Sequence, residues 1–371
     1  MASVPPASKP GILIDPHIAH KLEGTVLPDG WVLKAKTRKM PIAPEETGGK
    51  FSVGYTAEKD GKQAFVKVFD LGGALMRNSG NIMKAMMMLG QDHQYECQLL
   101  DICDAAKLDR IVKVLGKGQA DIPMGDHLAT PIPYIVFEHA DKDIRKALAK
   151  TSAIEDAWRL RMLHQVAIGL QQLHGKQIAH QDLKPSNILI FEQDDFGAKI
   201  ADLGRASRND GSQAGHDGYF IAGDPAYAPP EQAYGVRAEH WRDRRDGCDL
   251  YHLGSLIAFV FTGTTPNWYY TRLPEAVRPV QWRGNWAGSY PEVVHHINAA
   301  FAEYLALIKP DLPAWAADQL VLLIEQMCDP EYSKRGDPDA RKQVGEPLGL
   351  DRFISRFDAL ANIAKVKTRA A

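Results

Sequence analysis

Apolar and polar residues alternate along three short runs in the part of the chain that follows residue 30. Alternation with a period of two turns one face of a β-strand toward a core and the other toward solvent. The three runs predict short strands with antiparallel pairing, and two shorter apolar runs that follow are further strand candidates. The runs lie at 31–36, 51–56, 64–69, 111–115 and 134–137.

Most of the remaining chain repeats apolar residues every three to four positions, which is the spacing of an amphipathic helix. Between these segments, the short apolar runs 188–191 and 199–201 predict a β-hairpin. The predicted helices cover 81–107, 157–174, 314–328 and 350–364.

These patterns divide the chain into four parts and predict an α+β fold with two lobes. Residues 1–30 are rich in Pro and Gly and are interpreted as a tail or strap. Residues 31–139 predict a small β-rich lobe, and residues 140–345 predict a larger, mainly α-helical lobe. Residues 346–371 predict a C-terminal amphipathic helix, for which docking on the helical lobe is favoured over a contact with a partner.

The composition narrows the class of protein. The chain has 45% hydrophobic and 24% charged residues, which excludes wholesale disorder. Its 44 basic and 46 acidic side chains leave a net charge of −2, so we expect no nucleic-acid partner. The most apolar stretch, 255–261, is far too short to cross a bilayer, and residues 1–16 lack the pattern of a signal peptide. The four cysteines have neither disulfide-framework nor zinc spacing, so we expect reduced thiols in a cytoplasmic protein without a membrane partner.

The segment HQDLKPSN, from His180 to Asn187, brings a carboxylate, a lysine and an amide onto one loop. A second carboxylate, Asp202, follows the predicted strand 199–201. Phosphoryl transfer requires such a set. One carboxylate orients the attacking hydroxyl, a lysine neutralises the moving phosphoryl group, and oxygen ligands hold Mg²⁺.

This set resembles the motifs of the protein kinase superfamily, and HQDLKPSN is similar to the family's H-R-D-L-K-P-x-N catalytic loop. The ordered motifs span about residues 31–340, and their wording looks most like that of bacterial Ser/Thr kinases. Two further segments, in chain order, carry expected ATP-site residues: Phe65-Val-Lys67 resembles V-A-I-K, and Asp202-Leu-Gly204 resembles D-F-G. Three later segments complete the set: residues 223–231 resemble the segment that ends in A-P-E, residues 249–254 resemble D-x-x-S-x-G, and Asp329-Pro with Arg335 resembles the late D-P…R.

The resemblance implies a role for each matching residue in the catalytic half of the site. Asp182 would orient the substrate hydroxyl, and Lys184 would stabilise the transferring γ-phosphoryl group. Lys184 also resembles the Ser/Thr-type rather than the Tyr-type pattern. Asn187 and Asp202 would hold the metal, Mg²⁺ or alternatively Mn²⁺.

The resemblance also implies an ATP site. Lys67 would position the phosphates as a catalytic residue, with Glu96 as its carboxylate partner. Glu96 is farther from Lys67 than is usual, and the extra residues 71–90 are expected to form a helix that covers the small lobe. Further nucleotide contacts are expected from Gly49, Phe51 and Ser52 in a glycine loop, from Phe65, from Glu138 and His139 at the hinge, and from Leu189.

A literal D-F-G at 195–197 is a competing position for the metal ligand. It precedes the strand that should deliver that ligand, and it lies where the hairpin turn is expected, for which Asp-Phe-Gly is suitable chemistry. Asp202 is therefore the preferred ligand.

Several positions depart from the family pattern. The glycine loop keeps only Gly49 of three glycines, and Gly54 stands where Val is usual. Phe65 replaces a small Ala, and we expect its ring to fill the space above Gly54 while adenine still binds. Gln181 replaces the Arg that receives a phosphate, and Asp224 replaces an activation-segment Thr, so activity is expected to depend less on phosphorylation there.

Two further groups of charged residues stand out in the sequence. Arg242, Arg244 and Arg245 could bind an acidic substrate, but a solvated face neutralised by neighbouring aspartates is favoured. Glu231 and Arg335 are expected to form a structural pair, because a buried charge needs a partner.

The sequence predicts an ATP-dependent protein serine/threonine kinase whose partners are ATP and a protein with a Ser or Thr acceptor. Two alternatives stay open. One is a pseudokinase that acts as a nucleotide-binding scaffold, supported by the eroded glycine loop. The other is a small-molecule phosphotransferase, which shares the Asp/Asn/Asp core.

Overall fold

A computed structural model describes residues 17–37, 52–124, 128–150, 155–192, 197–343 and 348–370. These residues fall into two compact units. The first comprises the described residues of Met1–Cys97 and Val114–His139, and the second those of Gln98–Lys113 and Ala140–Ala371.

The first unit is built on a five-stranded antiparallel sheet with the strand order β1-β2-β3-β5-β4. Alternate residues of the central strands, such as Tyr55 and Val66, are buried, as the period-two pattern predicts. The strands are β1 (Val32–Lys36), β2 (Ser52–Lys59), β3 (Lys62–Phe69), β4 (Val114–Met124) and β5 (Leu128–Glu138).

Residues 17–30, within the predicted tail or strap, contribute to the core of this unit. Ile18, Leu22 and Leu27 are buried in the same apolar cluster as the sheet. The fully buried Tyr55 donates its hydroxyl to the carbonyl of Ala19 at 2.7 Å.

The segment 71–90 forms two helical pieces rather than one. Helix α1 (Leu71–Arg77) ends before Ser79 and Gly80, whose positive φ angles of 51° and 77° cannot continue a helix. Helix α2 (Ile82–Ala105) begins directly afterwards and carries Glu96.

The predicted strand 111–115 is only partly correct, because β4 begins at Val114. Ile111 instead forms an isolated parallel bridge with Ile200 of the second unit, to which it also belongs. That partner is distant in sequence, so local alternation could not reveal it.

The second unit is mainly helical, with short strands that carry its loops. A three-stranded sheet has the order β6-β8-β9, and β7 pairs with β10. The strands are β6 (Lys142–Asp143), β7 (Ile178–Ala179), β8 (Ile188–Phe191), β9 (Gly197–Ile200) and β10 (Ser207–Arg208). The helices are α3 (Ile144–Lys150), α4 (Asp156–His174), α5 (Pro230–Ala233), α6 (Gly247–Thr262), α7 (Pro266–Tyr270), α8 (Tyr290–Ile308), α9 (Ala317–Cys328) and α10 (Leu350–Ala370).

Helix α6 is the centre of this unit and is buried along most of its length. It packs against α9 and α4. Gly254 permits the close approach, since a Cβ there would lie 2.5 Å from the Cys328 sulfur. Helix α10 buries Phe353 and Phe357 and packs on α4, where Arg161 pairs with Asp358 at 3.1 Å.

The α+β fold class is confirmed by this arrangement of an antiparallel sheet unit and a helical unit. Within the described ranges, none of the helices is both long and apolar enough to cross a bilayer. The cysteines, all four of them within those ranges, are buried and free of disulfides.

Candidate active site

The structure brings Lys67 and Glu96 together in the sheet unit. Lys67 lies on β3, and its Nζ is 2.8 Å from each carboxylate oxygen of Glu96 on α2. Glu96 is only 1% exposed, so the lysine compensates a buried charge. The pairing across 29 residues therefore joins the two residues that the sequence proposed as partners.

Phe65, two residues earlier on β3, packs against Gly54 of β2. A Cβ placed on Gly54 would lie 2.7 Å from the Phe65 ring and 2.6 Å from the Thr37 hydroxyl. The other side of the ring approaches Phe137, with ring centroids 6.4 Å apart. The large residue at 65 and the missing side chain at 54 are therefore complementary in volume.

The other expected nucleotide contacts lie on different strands. Ser52 begins β2, and Gly49 and Phe51 lie outside the described residues. Glu138 ends β5 opposite Ala64 of β3 and is half-buried, and His139 is the exposed residue that follows. Leu189, in the second unit, is half-buried on β8.

The segment HQDLKPSN is fixed in place by a buried carboxylate from α6. Asp249 is 0% exposed and accepts hydrogen bonds from the backbone N–H groups of His180, at 2.7 Å, and Gln181, at 2.6 Å. Burial opposes ionisation of Asp249, but the hydrogen bond and charge of His174, the charge of His180 and the N–H of Gln181 hold its pKa below the ordinary value. His180 also approaches the carbonyl of Ala201 through Nε2 at 3.0 Å, which braces the loop as expected for a structural histidine.

Asp182 lies at the centre of a buried polar cluster. Lys184 Nζ is 3.0 Å from its Oδ2, and the amide of Asn187 donates to its backbone carbonyl at 2.8 Å and to Oδ2 at 3.3 Å. The backbone N–H of Asp224 donates to its Oδ1 at 2.8 Å. Burial raises the pKa of Asp182, Lys184 opposes that effect, and Asp202 adds to it.

Lys184 joins two carboxylates of this cluster. Its Nζ is also 3.3 Å from Asp224 Oδ2. Burial alone would lower the pKa of Lys184, but Asp182 and Asp224 outweigh burial and raise it. Sequence reasoning recognised Asp224 as a replacement for Thr but missed this ion pair.

Gly223 allows the segment that contains Asp224 to approach the loop. A Cβ at Gly223 would lie 2.4 Å from the Gln181 carbonyl and 2.7 Å from Asp182 Oδ1. A glycine often marks a site where another backbone approaches closely, and Gly223 was in this sense the sequence signal for the contact.

Asp202 follows β9 and is exposed. The strand end is tied to the loop, because the N–H of Ala201 donates to the carbonyl of Asn187 at 2.9 Å. Asp202 and Gln181 have positive φ angles of 65° and 61°, which are uncommon for residues other than glycine and cluster at functional sites. By contrast, Asp195 lies outside the described residues, and Gly197 pairs with Phe191 in the β8–β9 hairpin.

The donor chemistry fits a divalent cation. Asp182 and Asp224 place two carboxylates beside the ammonium of Lys184, and the charge of Asp202 is near enough to raise the pKa of Asp182. Within the described ranges, no group of three or more His, Cys, Asp or Glu side chains forms a complete metal cage. Mg²⁺ usually binds through one or two carboxylates together with phosphate oxygens. The carboxylate of Asp202 and the amide oxygen of Asn187 are therefore suitable as the ligands that the protein would contribute.

Glu231 and Arg335 form a second buried charge pair away from this cluster. The two guanidinium Nη atoms are 3.0 and 2.9 Å from the two carboxylate oxygens, and Arg335 is 0% exposed. Arg335 also donates to the carbonyls of Gly247 and Asp329. The expected structural pair is therefore present.

Within the arginine run 242–245, Arg242 is exposed, as a solvated face predicts, but Arg245 is not. A π-helical turn, Arg242–Asp246, precedes α6 and turns Arg245 inward, where it is 3% exposed. Arg245 pairs with Asp217 at 2.8 Å. The tertiary partner, which the local sequence does not contain, determines its burial.

Comparison with known proteins assigns this geometry to a family. The protein kinase domain family matches residues 49–342. The chain therefore belongs to the protein kinase family, of the eukaryotic-like type, and its relatives indicate the serine/threonine class.

Three bacterial relatives illustrate the similarity. The chain is 32% identical to serine/threonine-protein kinase pkn3 of Myxococcus xanthus over 141 residues, 36% of this chain and 24% of the relative. It is 37% identical to serine/threonine-protein kinase AfsK of Streptomyces coelicolor over 101 residues, 27% of this chain and 12% of the relative. It is 31% identical to probable serine/threonine-protein kinase PknB of Corynebacterium glutamicum over 158 residues, 42% of this chain and 22% of the relative.

Each of these three bacterial matches covers less than a quarter of the relative's length. Similarity extends to eukaryotes, for example 27% identity over 219 residues to serine/threonine-protein kinase DCLK1 of Mus musculus, 57% of this chain and 27% of the relative.

Proposed function

We propose that the chain is a catalytically competent kinase that transfers the γ-phosphoryl group of ATP to a serine or threonine hydroxyl of a protein. The observation that carries this proposal is the buried cluster in which Asp182 is held by Lys184, Asn187 and the backbone of Asp224. A pseudokinase has no need of a buried carboxylate at that position. We also propose a bacterial-type kinase acting in the cytoplasm, on the wording of the motifs and the reduced cysteines.

Asp182 orients the acceptor hydroxyl and takes its proton. The new bond joins the acceptor oxygen to the γ-phosphorus, the bond to the β,γ-bridging oxygen breaks, and ADP leaves. The raised pKa of Asp182 suits a proton acceptor, because a carboxyl with a higher pKa is the stronger base. Lys184, held beside Asp182 and Asp224, offers its ammonium to the charge on the transferring group.

Lys67 binds the phosphates of ATP, and Glu96 holds the lysine side chain in place. Asn187 and Asp202 hold Mg²⁺, or Mn²⁺ in its place, which neutralises phosphate charge when bound. The remaining proposed contacts to the nucleotide are Phe65, Glu138, His139, Leu189 and the loop residues Gly49, Phe51 and Ser52.

The acceptor class can be tested with one peptide library in three versions that differ only in having Ser, Thr or Tyr as acceptor, beside a panel of aminoglycosides and nucleosides. We expect labelled phosphate from ATP on Ser or Thr peptides alone. Asp182→Asn should abolish this labelling, and Asp210→Asn, which alters an exposed carboxylate paired with Arg208, should not. Labelling of the small molecules alone would contradict a protein kinase, and nucleotide binding without any transfer would favour the scaffold.

A further inference from the structure

The segment between Asp202 and Glu231, here called the activation segment, is attached to a buried arginine that lies outside it. Arg245 occupies the π-helical turn before α6, and π turns are rare and frequently located at functional sites. Its Nη2 is 2.8 Å from Asp217 Oδ1, and its Nη1 donates to the side-chain oxygen of Gln181. One guanidinium therefore contacts both the activation segment and the residue directly before Asp182.

The carboxylate of Asp217 connects distant parts of the activation segment. Oδ1 accepts from the hydroxyl of Ser207 at 2.5 Å, and Oδ2 accepts from the N–H of Ala214 at 2.7 Å. Ser207 is itself buried and lies on β10, which pairs with β7 immediately before the catalytic loop. Asp217 thus closes a loop of the segment onto the strand pair beside the site.

Two further arginines bind the same turn through its backbone. Arg244 donates to the carbonyl of Asp217 at 2.7 Å, and Arg237 donates to the carbonyl of Gly218. The turn therefore receives three guanidinium groups, of which Arg245 alone pairs with its carboxylate at salt-bridge distance.

Gln181 is suited to this arrangement because its side-chain amide both accepts and donates hydrogen bonds. Its oxygen accepts from Arg245, and its Nε2 donates to Ser207 Oγ at 2.6 Å and to the carbonyl of Arg205 at 3.0 Å. An arginine at 181 has donors only and could not accept from Arg245. Two guanidinium groups would then face each other in a buried space.

We infer that Asp217 supplies from within the chain the negative charge that orders the activation segment, and that Arg245 and Gln181 connect this order to Asp182. The three are positioning residues, and the inference rests on the proposed kinase function. No phosphate on the segment is needed, because the carboxylate of Asp217 already pairs with Arg245.

The test uses the full chain, treated with phosphatase and verified by intact mass to be free of phosphate. Asp217→Asn keeps the shape of the side chain and removes its charge. We expect faster amide hydrogen exchange across 203–222 and a kcat lower by about tenfold or more, with the KM for ATP changed less than about twofold. Asp210→Asn, on the same segment but hydrogen-bonded to its near neighbours Arg208 and Ser212, is the matched control and should match the wild type in both measurements.

Two more variants separate positioning from general damage. Asp217→Glu keeps the charge and should recover much of the activity and protection. Gln181→Arg restores the residue usual in the family, yet we expect it to lower kcat in the phosphate-free protein and to loosen 203–222. If residue 181 had merely lost an unneeded arginine, Gln181→Arg would be neutral or activating.

Wild-type exchange and activity from Asp217→Asn, or a wild type that is active only when phosphorylated on this segment, would overturn the inference. Hydrogen exchange needs no turnover, so it separates the two proposals. An inactive wild type with a protected segment that Asp217→Asn loosens would refute the kinase function but leave the ordering role of Asp217 standing.

Discussion

Two buried charge clusters of the helical unit differ in their charge balance. Glu231 and Arg335 match one carboxylate with one guanidinium, and the backbone carbonyls of Gly247 and Asp329 take the remaining donors. Around Lys184, in contrast, a single ammonium faces Asp182 and Asp224, with the charge of Asp202 close enough to raise the pKa of Asp182.

This difference indicates separate purposes. A balanced, fully hydrogen-bonded pair is stable as it is and holds α5 to the loop that follows α9. A cluster with excess negative charge is stabilised by an added cation and keeps one carboxylate basic. The first cluster therefore supports the fold, and the second is suited to chemistry.

The largest effect is expected for Asp182→Asn, on activity rather than on stability. Loss of the proton acceptor should reduce phosphoryl transfer by about 10²–10⁴-fold. The folded pKa of Asp182 lies above its ordinary value of 3.8, so the stability that this group contributes is present below that value and is lost as the pH rises through the folded pKa. At neutral pH the loss of a buried charge offsets the loss of an acceptor for Lys184 and Asn187, so Tm should change little. If the variant lost activity only in proportion to a lowered Tm, Asp182 would be a structural residue like Glu231, and the contrast between the two clusters would be wrong.

Glu231→Gln should show the reverse pattern, with stability as the primary loss. Removing one charge leaves Arg335 buried without compensation, and about 3–5 kcal/mol of unfolding free energy should be lost in urea titrations. The control is Asp318→Asn, whose partner is Lys309 at 2.7 Å and whose side chain is 86% exposed. Such surface pairs contribute about 0–1 kcal/mol. Similar losses in both variants would contradict a special role for the buried pair.

The excess negative charge predicts that the protein is stabilised by a divalent cation, which a shift in Tm can measure. In the presence of ADP, MgCl₂ or MnCl₂ should raise the Tm of the wild type. Asp202→Asn should require about tenfold more metal for the same shift, because it removes the proposed carboxylate ligand. Asp210→Asn should respond like the wild type, and an unchanged metal response in Asp202→Asn would point to another ligand set.

A further effect concerns the packing volume between Phe65 and Gly54 in the sheet unit. Gly54→Val should weaken ATP binding and lower Tm, because its side chain would meet the Phe65 ring, and Phe65→Ala should weaken ATP binding by opening the space beside Gly54. The double variant should recover about 1–3 kcal/mol of the stability that Gly54→Val loses. Tighter ATP binding by Phe65→Ala alone would show that the ring obstructs the adenine, contrary to our expectation.

The sequence predicted much of the fold because alternation and helical spacing are local signals. Strands β2 and β3 and helices α4 and α10 follow from such patterns within a few residues. Their pairing with distant segments does not, and the bridge from Ile111 to Ile200 replaced an expected strand for that reason.

The same limit applies to the site. The motifs suggested Lys67 with Glu96 and the set Asp182, Lys184 and Asn187, since spacing within a family is informative. They gave no indication that Asp224 pairs with Lys184 or that Arg245 turns inward to Asp217. Those contacts depend on how the segments that contain Asp224 and Arg245 fold back toward the loop 180–187. The local charge pattern of the arginine run predicted only a solvated face.

The most direct test of the central claim is intact-mass spectrometry of phosphatase-treated protein incubated with ATP and Mg²⁺ and a mixture of Ser- and Thr-containing peptides. The wild type and Asp182→Asn are compared under identical conditions. We expect phosphate on the wild type or on the peptides, on Ser or Thr, and none with Asp182→Asn. Equal phosphate incorporation by both proteins would contradict a catalytic role for Asp182, and none by either would contradict catalytic competence.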